Sequence, residues 1–249
     1  MPNTIVVIPT YNELENLPKI TTALFELAID GLEILVVDDA SPDGTGQVAE
    51  QLAQKYPGKI HIIHRAGKLG LGSAYVQGFQ WAIGHAAQNI IHMDADFSHP
   101  ISSIPQMLSL IADYDVVVGS RYVKGGRLDE SWSWYRKALS WWANSVWVHL
   151  ILGTKTQDAT SGFKCWTAQA LQKIGLERIR SNGYIFQVEM CYLAERLGYR
   201  IKEIPIYFED RRLGESKMNL PIQIEAALRV FDLRSRYHHL SSIDGHVRE

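Results

Sequence analysis

Short apolar runs alternating with apolar positions at helical spacing set the plan of this chain. Thr4 to Ile8 is an unbroken run rich in β-branched residues, which predicts a strand, and Leu17, Ile20, Leu24 and Leu27 then recur with the period of a helix. Glu33 to Asp38 repeats the strand pattern, and the turn-rich Ala40-Ser-Pro-Asp-Gly44 leads into a helix with Val48 and Leu52 on one face. Ile60 to His64 predicts a third strand, after which Gly67, Gly70 and Gly72 form a loop into a helix beginning near Ser73. Asn89 to Met93 is the fourth strand, Pro100 to Ala112 a helix and Asp115 to Gly119 the fifth strand. Strands separated by helices in this way imply an α/β fold with a mostly parallel central sheet. Helices cover both faces, and the crossovers are right-handed.

In such a sheet, ligands bind beyond the carboxyl ends of the strands. Here those ends carry Pro9 to Glu13, Asp38 and Asp39, Asp94 and Asp96, and Ser120 with Arg121. The fourth end stands out, because the apolar run from Ile90 stops abruptly in Asp94-Ala-Asp96. Two apart in extended backbone, these acids share a side, where two hard oxygen donors can hold Mg²⁺ or Mn²⁺ against a diphosphate. The same pair could also form a solvated turn or cap the helix that follows. The loop Lys68-Leu-Gly-Leu-Gly72 is either a phosphate cradle or a close-packed turn, since it fits neither the dinucleotide fingerprint nor the Walker pattern.

Composition narrows the class. With 249 residues, 46% hydrophobic and 21% charged, the chain can bury a sizeable core. A formal net charge of −2 argues against binding nucleic acid by bulk charge. Cys165 and Cys191 are the only cysteines and form no zinc or redox spacing, which points to a reducing cytosol. The apolar run after Met1 is too short for a signal peptide and lacks a basic leader. No stretch reaches the ~20 apolar residues that a spanning helix needs.

The later chain changes character. Trp132, Trp134, Trp141, Trp142 and Trp147 are five of the seven tryptophans, and Ala138 to Gly153 holds no Asp, Glu, Lys or Arg. On a helix, Leu139, Trp142, Ala143, Val146, Trp147 and Leu150 share an apolar side, while Arg136, Ser140 and Asn144 stack on another. Such a helix either packs on the domain or lies in a membrane interface, where tryptophan is favoured. Asp158-Ala-Thr-Ser-Gly-Phe163 precedes a helix around Ala168 to Ile174, and Glu203 to Phe208 predicts a late strand. Glu209 to Lys217 is a polar loop with Arg211, Arg212 and Lys217. A last helix runs from Pro221 to about Ser235, with Ile224, Leu228 and Phe231 on one face. We expect one domain over residues 1–236, including an interfacial helix at about 131–152, and a frayed tail from 237 to 249.

Taken in order, these motifs resemble the inverting glycosyltransferases of the Rossmann-like GT-A fold, and among them the dolichol- or polyprenol-phosphate mannose synthases. The resemblance runs from about residue 4 to 235. It rests on Pro9-Thr-Tyr-Asn-Glu13, Val36-Val-Asp-Asp39 with Ser41-Pro-Asp-Gly44, Asp94-Ala-Asp96, Gly119-Ser-Arg121, Tyr135-Arg136 with Ser140, Ser161-Gly-Phe163 and Gly214-Glu-Ser-Lys217. It implies that Pro9, Tyr11, Glu13 and Asp39 hold the nucleoside, and that Asp94 and Asp96 hold Mg²⁺ or Mn²⁺ on the sugar nucleotide. Arg121, Arg136, Arg211 and Lys217 would gather the phosphates of donor and acceptor, with Ser140 beside the acceptor phosphate. Many relatives place Gln two residues after the second Asp where this chain has Ser98, which is then the candidate third ligand. Asp96, Arg121, Arg211 and Lys217 are the expected catalytic set.

The implied reaction moves mannose from GDP-mannose to a polyprenyl or dolichyl phosphate with inversion. Its rival within the class is a UDP-sugar-dependent glucosyltransferase, and the rival from another class is a non-catalytic nucleotide-binding membrane adaptor. A phosphate monoester acceptor is already ionised, with a second pKa of about 6, so no general base is required. The late loop is expected to close over the site when donor binds. The protein is expected in the cytoplasm, peripherally attached to the cytoplasmic face of a membrane. It would attach by interfacial contact or through a separate anchoring subunit, and bind no nucleic acid.

Overall fold

The structure, a computed structural model, describes residues 3–183, 185–209 and 220–240, with the backbone alone at positions 136, 143, 145 and 220–227. The apolar runs form strands near their expected places: β1 (Thr4–Thr10), β2 (Leu32–Asp38), β3 (Ile60–His64), β4 (Asn89–His92) and β5 (Val116–Ser120). Between them lie α1 (Leu17–Glu26), α2 (Thr45–Lys55), α3 (Leu71–Gly84) and α4 (Ile104–Leu110), the last entered through a 3-10 turn at Ile101–Ser103. Next come β6 (Arg127–Leu128) and α5 (Trp134–Trp141), continued by a π-helical stretch, Trp142–Val148, into α6 (His149–Leu152). The chain then forms β7 (Lys164–Thr167), α7 (Ala168–Ile174), α8 (Ile185–Arg196), β8 (Ile201–Pro205), β9 (Tyr207–Phe208) and α9 (Leu220–Tyr237).

The main sheet has the order β3-β2-β1-β4-β7-β5-β8. Its pairings are parallel except at β7, which runs antiparallel to both β4 and β5. Nothing in the periodicity marked β7 as a strand. It is four residues long and places a lysine, Lys164, where the sheet is fully buried. The late strand expected at Glu203 to Phe208 is in fact divided. Ile201–Pro205 extends the main sheet beside β5, whereas Tyr207–Phe208 pairs with β6 in a separate two-stranded ribbon.

Side chains leave the strands with a period of two, so Ile5 and Val7 of β1 enter one core and Val6 and Ile8 the other. The first core is closed by α3, α6, α7, α8 and α9, the second by α1, α2 and α4. Among the described side chains of α9, Val230, Leu233 and Tyr237 are buried while Leu228 and Phe231, expected on one face, are both exposed; the Ile224 side chain lies outside those described. At the start of the tail expected to fray, the Tyr237 hydroxyl donates to Glu189 Oε1 at 2.7 Å and Arg196 Nη2 donates to the carbonyls of His238 and Leu240. Positions 241–249 of that tail lie outside the described residues.

Candidate active site

The ends of β1 and β2 build one wall of the cleft. Asp38 is a bracket between them, accepting from the Thr10 hydroxyl at 2.9 Å and from the Ser41 backbone and hydroxyl at 3.1 and 2.6 Å. Asp39 is buried in an ion pair with Arg65 and also accepts the Gly70 N–H at 3.0 Å. Arg65 donates in turn to the Gly70 carbonyl at 3.2 Å and to Ser73 Oγ at 2.7 Å. The glycine loop is therefore a turn clamped to the end of β2, with Gly70 at φ +101°. Gly72 lies so close to the 181–182 segment that a Cβ would come within 2.3 Å of the Ser181 carbonyl. Asn12 adopts φ +60° after β1, and Glu13 accepts from the Asn16 amide at 2.8 Å. The Tyr11 ring carries the Lys68 ammonium 3.9 Å above its face. Pro9, Tyr11, Glu13 and Asp39 thus share one edge. Arg65 had gone unnoticed in the sequence, although its register next to Asp39, each one residue beyond paired parallel strands, was the available signal.

The acids after β4 are held differently from the expectation. The strand stops at His92, so Asp94 and Asp96 sit in a turn with Phe97 at φ +63°, and extended-strand geometry does not align them. Both still bear on one point. The Tyr75 hydroxyl donates to Asp94 Oδ1 at 3.3 Å, and its pKa is driven well up by burial and then by Asp94 and Asp96. Ser98 directs its backbone N–H (3.1 Å) and its hydroxyl (2.6 Å) onto Asp96 Oδ1. The Ser98 hydroxyl proton thus orients Asp96, and its oxygen lone pairs remain the part of the side chain that could face a metal or a ligating water. Among the described residues, no group of three His, Cys, Asp or Glu side chains is placed to hold a metal. Two carboxylates, Asp94 and Asp96, are oxygen donors of the kind that suit a hard divalent cation, which would complete its shell with diphosphate and water.

His99, absent from the expected set, closes this turn. Its Nδ1 accepts the Asp94 N–H at 3.2 Å, and the ring stacks on Phe163 at 5.3 Å and 9°. Burial lowers its pKa to about 4, so the ring is neutral. Lys164 fixes the neighbouring loop by donating to the Ser161 carbonyl and to Gln187 Oε1, and burial lowers its pKa to about 8.

Beyond β5, Arg121 is less available than expected. Its Nε and Nη2 both bond Asp158 at 2.7 Å, its backbone N–H adds a third bond to the same carboxylate at 2.9 Å, and Nη2 also reaches Thr160 Oγ1 at 2.6 Å. Burial alone would raise the Asp158 pKa, but the Arg121 charge and hydrogen bonds outweigh it and hold the carboxyl below its usual value. Arg121, expected among the phosphate-gathering cations, therefore has its charge matched by a buried partner. Asp158, which the sequence reading left without a role, gave no signal in a short loop of Ala, Thr, Ser and Gly.

Over this pair lies the tryptophan-rich helix, with its polar side turned inward. Ser140 Oγ bonds the Tyr122 hydroxyl at 2.7 Å. Asn144, 1% exposed, bonds the Gln157 carbonyl and accepts the Thr160 N–H at 3.2 Å. Val148, Ile151 and Leu152 at its end are buried in the first core, while Trp134 (81% exposed), Trp141 (52%), Trp142 (44%) and Leu150 (75%) face out. Exposed Leu228 and Phe231 of α9 extend the same aromatic surface, the latter edge-on to Trp147 at 5.6 Å. No helix among the described residues is long and apolar enough to cross a membrane. Arg211 and Lys217 lie outside the described residues, as does the Arg136 side chain.

The model of glycosyl transferase family 2 matches residues 5–175. This chain belongs to that family. It is 43% identical over 226 residues to undecaprenyl-phosphate mannosyltransferase from Micrococcus luteus, covering 91% of each chain. It is 42% identical to polyprenol monophosphomannose synthase from Mycolicibacterium smegmatis over 87% of this chain and 81% of that one. Two solved structures share the fold at 17% identity. Glucosyl-3-phosphoglycerate synthase from Mycobacterium tuberculosis, with Mn²⁺, UDP and glucosyl-3-phosphoglycerate, superposes with TM-score 0.65 over 95% of this chain and 80% of that one. A mannosyltransferase from Pyrobaculum calidifontis, with GDP-Man and Mn²⁺, gives 0.62 over 94% and 64%. The fold of this family 2 glycosyltransferase is therefore GT-A.

Proposed function

We propose that this enzyme transfers mannose from GDP-mannose to a polyprenyl phosphate with inversion, giving polyprenyl-phosphate mannose. The observation that carries the lipid acceptor is the aromatic surface this helix exposes. Trp134, Trp141, Trp142 and Leu150 face outward on the same helix whose Ser140 and Asn144 bond Tyr122 and Thr160 beside the Arg121–Asp158 pair. Exposed indoles beside a polar site suit a partly membrane-embedded substrate, and the names of the two relatives support the same acceptor. The helix would rest in the interface with its indoles at headgroup depth, on the cytoplasmic face of the membrane.

Pro9, Tyr11 and Glu13 would hold the nucleoside, with the Asp39–Arg65 pair fixing the base end. Asp94 and Asp96 would hold Mg²⁺ or Mn²⁺, which when bound would stabilise negative charge on the departing diphosphate. The chain's own contribution is placement. Ser98 and Tyr75 orient the carboxylates, the Arg121–Asp158 pair fixes the floor beneath the docking helix, and Arg136, Arg211 and Lys217 gather the phosphates. An ionised phosphate acceptor attacks without a side-chain base. The test is turnover of labelled GDP-mannose with Mn²⁺ and a short polyprenyl phosphate, run beside UDP-glucose. Transfer from GDP-mannose into a lipid-extractable product is expected, and transfer from UDP-glucose alone would sink the donor assignment.

A further inference from the structure

We propose that His99 is a donor-sugar residue: its Nε2–H donates to the hydroxyl edge of the transferred hexose while Asp94 accepts from that edge. This rests on the assignment of a nucleotide-sugar donor made above. The imidazole cannot swing, because it is 2% exposed, lies parallel to Phe163 and meets the edge of Phe208 at 5.9 Å and 61°. Its Nδ1 accepts the Asp94 backbone N–H at 3.2 Å, so that nitrogen carries no proton and the ring proton of the neutral form sits on Nε2. With that tautomer the ring is a hydrogen-bond donor at Nε2 and not a metal ligand.

Gly162 shows what Nε2 faces. A Cβ built there would stand 3.2 Å from His99 Cε1, 3.5 Å from Nε2 and 3.7 Å from Asp94 Oδ2. Gly162 is not among the glycines at positive φ, so its backbone does not call for glycine and the missing side chain is a matter of space. The small residue keeps open a narrow place bordered by an N–H donor and a carboxylate acceptor. A phosphate oxygen only accepts, so it could pair with the His99 N–H but not directly with the carboxylate. A sugar hydroxyl both donates and accepts, so it matches the pair.

The test is calorimetric titration of GDP-mannose and of GDP, each with Mn²⁺, into the parent protein and into His99→Ala, His99→Gln and Gly162→Ala. Loss of one such hydrogen bond should weaken GDP-mannose binding roughly three- to tenfold in His99→Ala and Gly162→Ala, with GDP changing by less than about twofold. His99→Gln, which can bring an amide N–H to the Nε2 position, should recover part of the loss. Equal weakening of both ligands would assign His99 to the geometry of the Asp94 turn and overturn the proposal, as would unchanged GDP-mannose affinity. If His99→Ala does not fold, Gly162→Ala gives the same reading, since its methyl would fill the space beside His99 Cε1 and Nε2 while the imidazole stays in place. A parent protein that binds UDP-glucose and not GDP-mannose would overturn the donor assignment alone. The His99 proposal is then decided by UDP-glucose against UDP in the same variants.

Discussion

Replacing Asp158 by asparagine tests the claim that Arg121 is held by a buried carboxylate and is not a free cation. The Asp158 side chain is 0% and the Arg121 side chain 11% exposed, so solvent screens the pair little. Asp158 Oδ2 takes the Arg121 N–H and Nε, and Oδ1 takes Nη2. An asparagine keeps the shape but presents one amide NH₂ to a guanidinium that only donates, and the buried charge loses its partner. Breaking a buried pair from one side costs about 3–5 kcal/mol, and asparagine should fall near the lower end because one acceptor survives. The pH dependence follows from the lowered Asp158 pKa. The contribution is whole above the unfolded value of 3.8 and disappears as pH falls through the folded value, because the unfolded chain then takes the proton first. Urea unfolding followed by tryptophan fluorescence at pH 7 and at steps down to pH 3 measures both effects. We expect the variant to be much less stable at pH 7, with the gap to the parent narrowing toward pH 3. A loss under about 1 kcal/mol at pH 7, or a gap that stays constant with pH, would refute a buried charge-dependent pair.

Asp96→Asn should leave the fold intact and remove most metal-dependent turnover, since it deletes one of two hard anionic donors; full activity of the parent in excess chelator would contradict this. Trp141→Ser with Trp142→Ser should abolish vesicle flotation and lower turnover with lipid acceptor while leaving the melting temperature nearly unchanged, because both indoles are exposed. An unchanged flotation profile would remove the membrane role of that helix. Lys217→Ala and Arg211→Ala should each lower turnover roughly a hundredfold, the worth of about 2–4 kcal/mol of charge stabilisation, with GDP affinity nearly constant. Near-normal rates in both variants would exclude them from the reaction.

The alternating architecture was legible in the sequence because it is local. A strand buried on both faces must be apolar throughout, and a helix packed on one side must repeat at its own period, so β1 to β5 and α1 to α4 follow from neighbours in the chain. The ordered acids at the strand ends were legible for the same reason, since a parallel sheet gathers those ends on one edge. Contacts between distant segments were not. β7 is too short for a period, and its buried Lys164 makes sense only once Gln187 and the Ser161 carbonyl surround it. The pairing of Arg121 with Asp158, 37 positions later, and the turn of the Ser98 hydroxyl back on Asp96 appear only once the chain is folded. The tryptophan-rich helix is the sharpest case. Its two faces were visible in the spacing, but which face turns inward depends on Tyr122, Gln157 and Thr160 offering hydrogen bonds beneath it. The sequence determines which residues a helix lines up on each side. Only the packed structure decides which of them meet the protein, because that choice depends on what the rest of the chain brings to the same place.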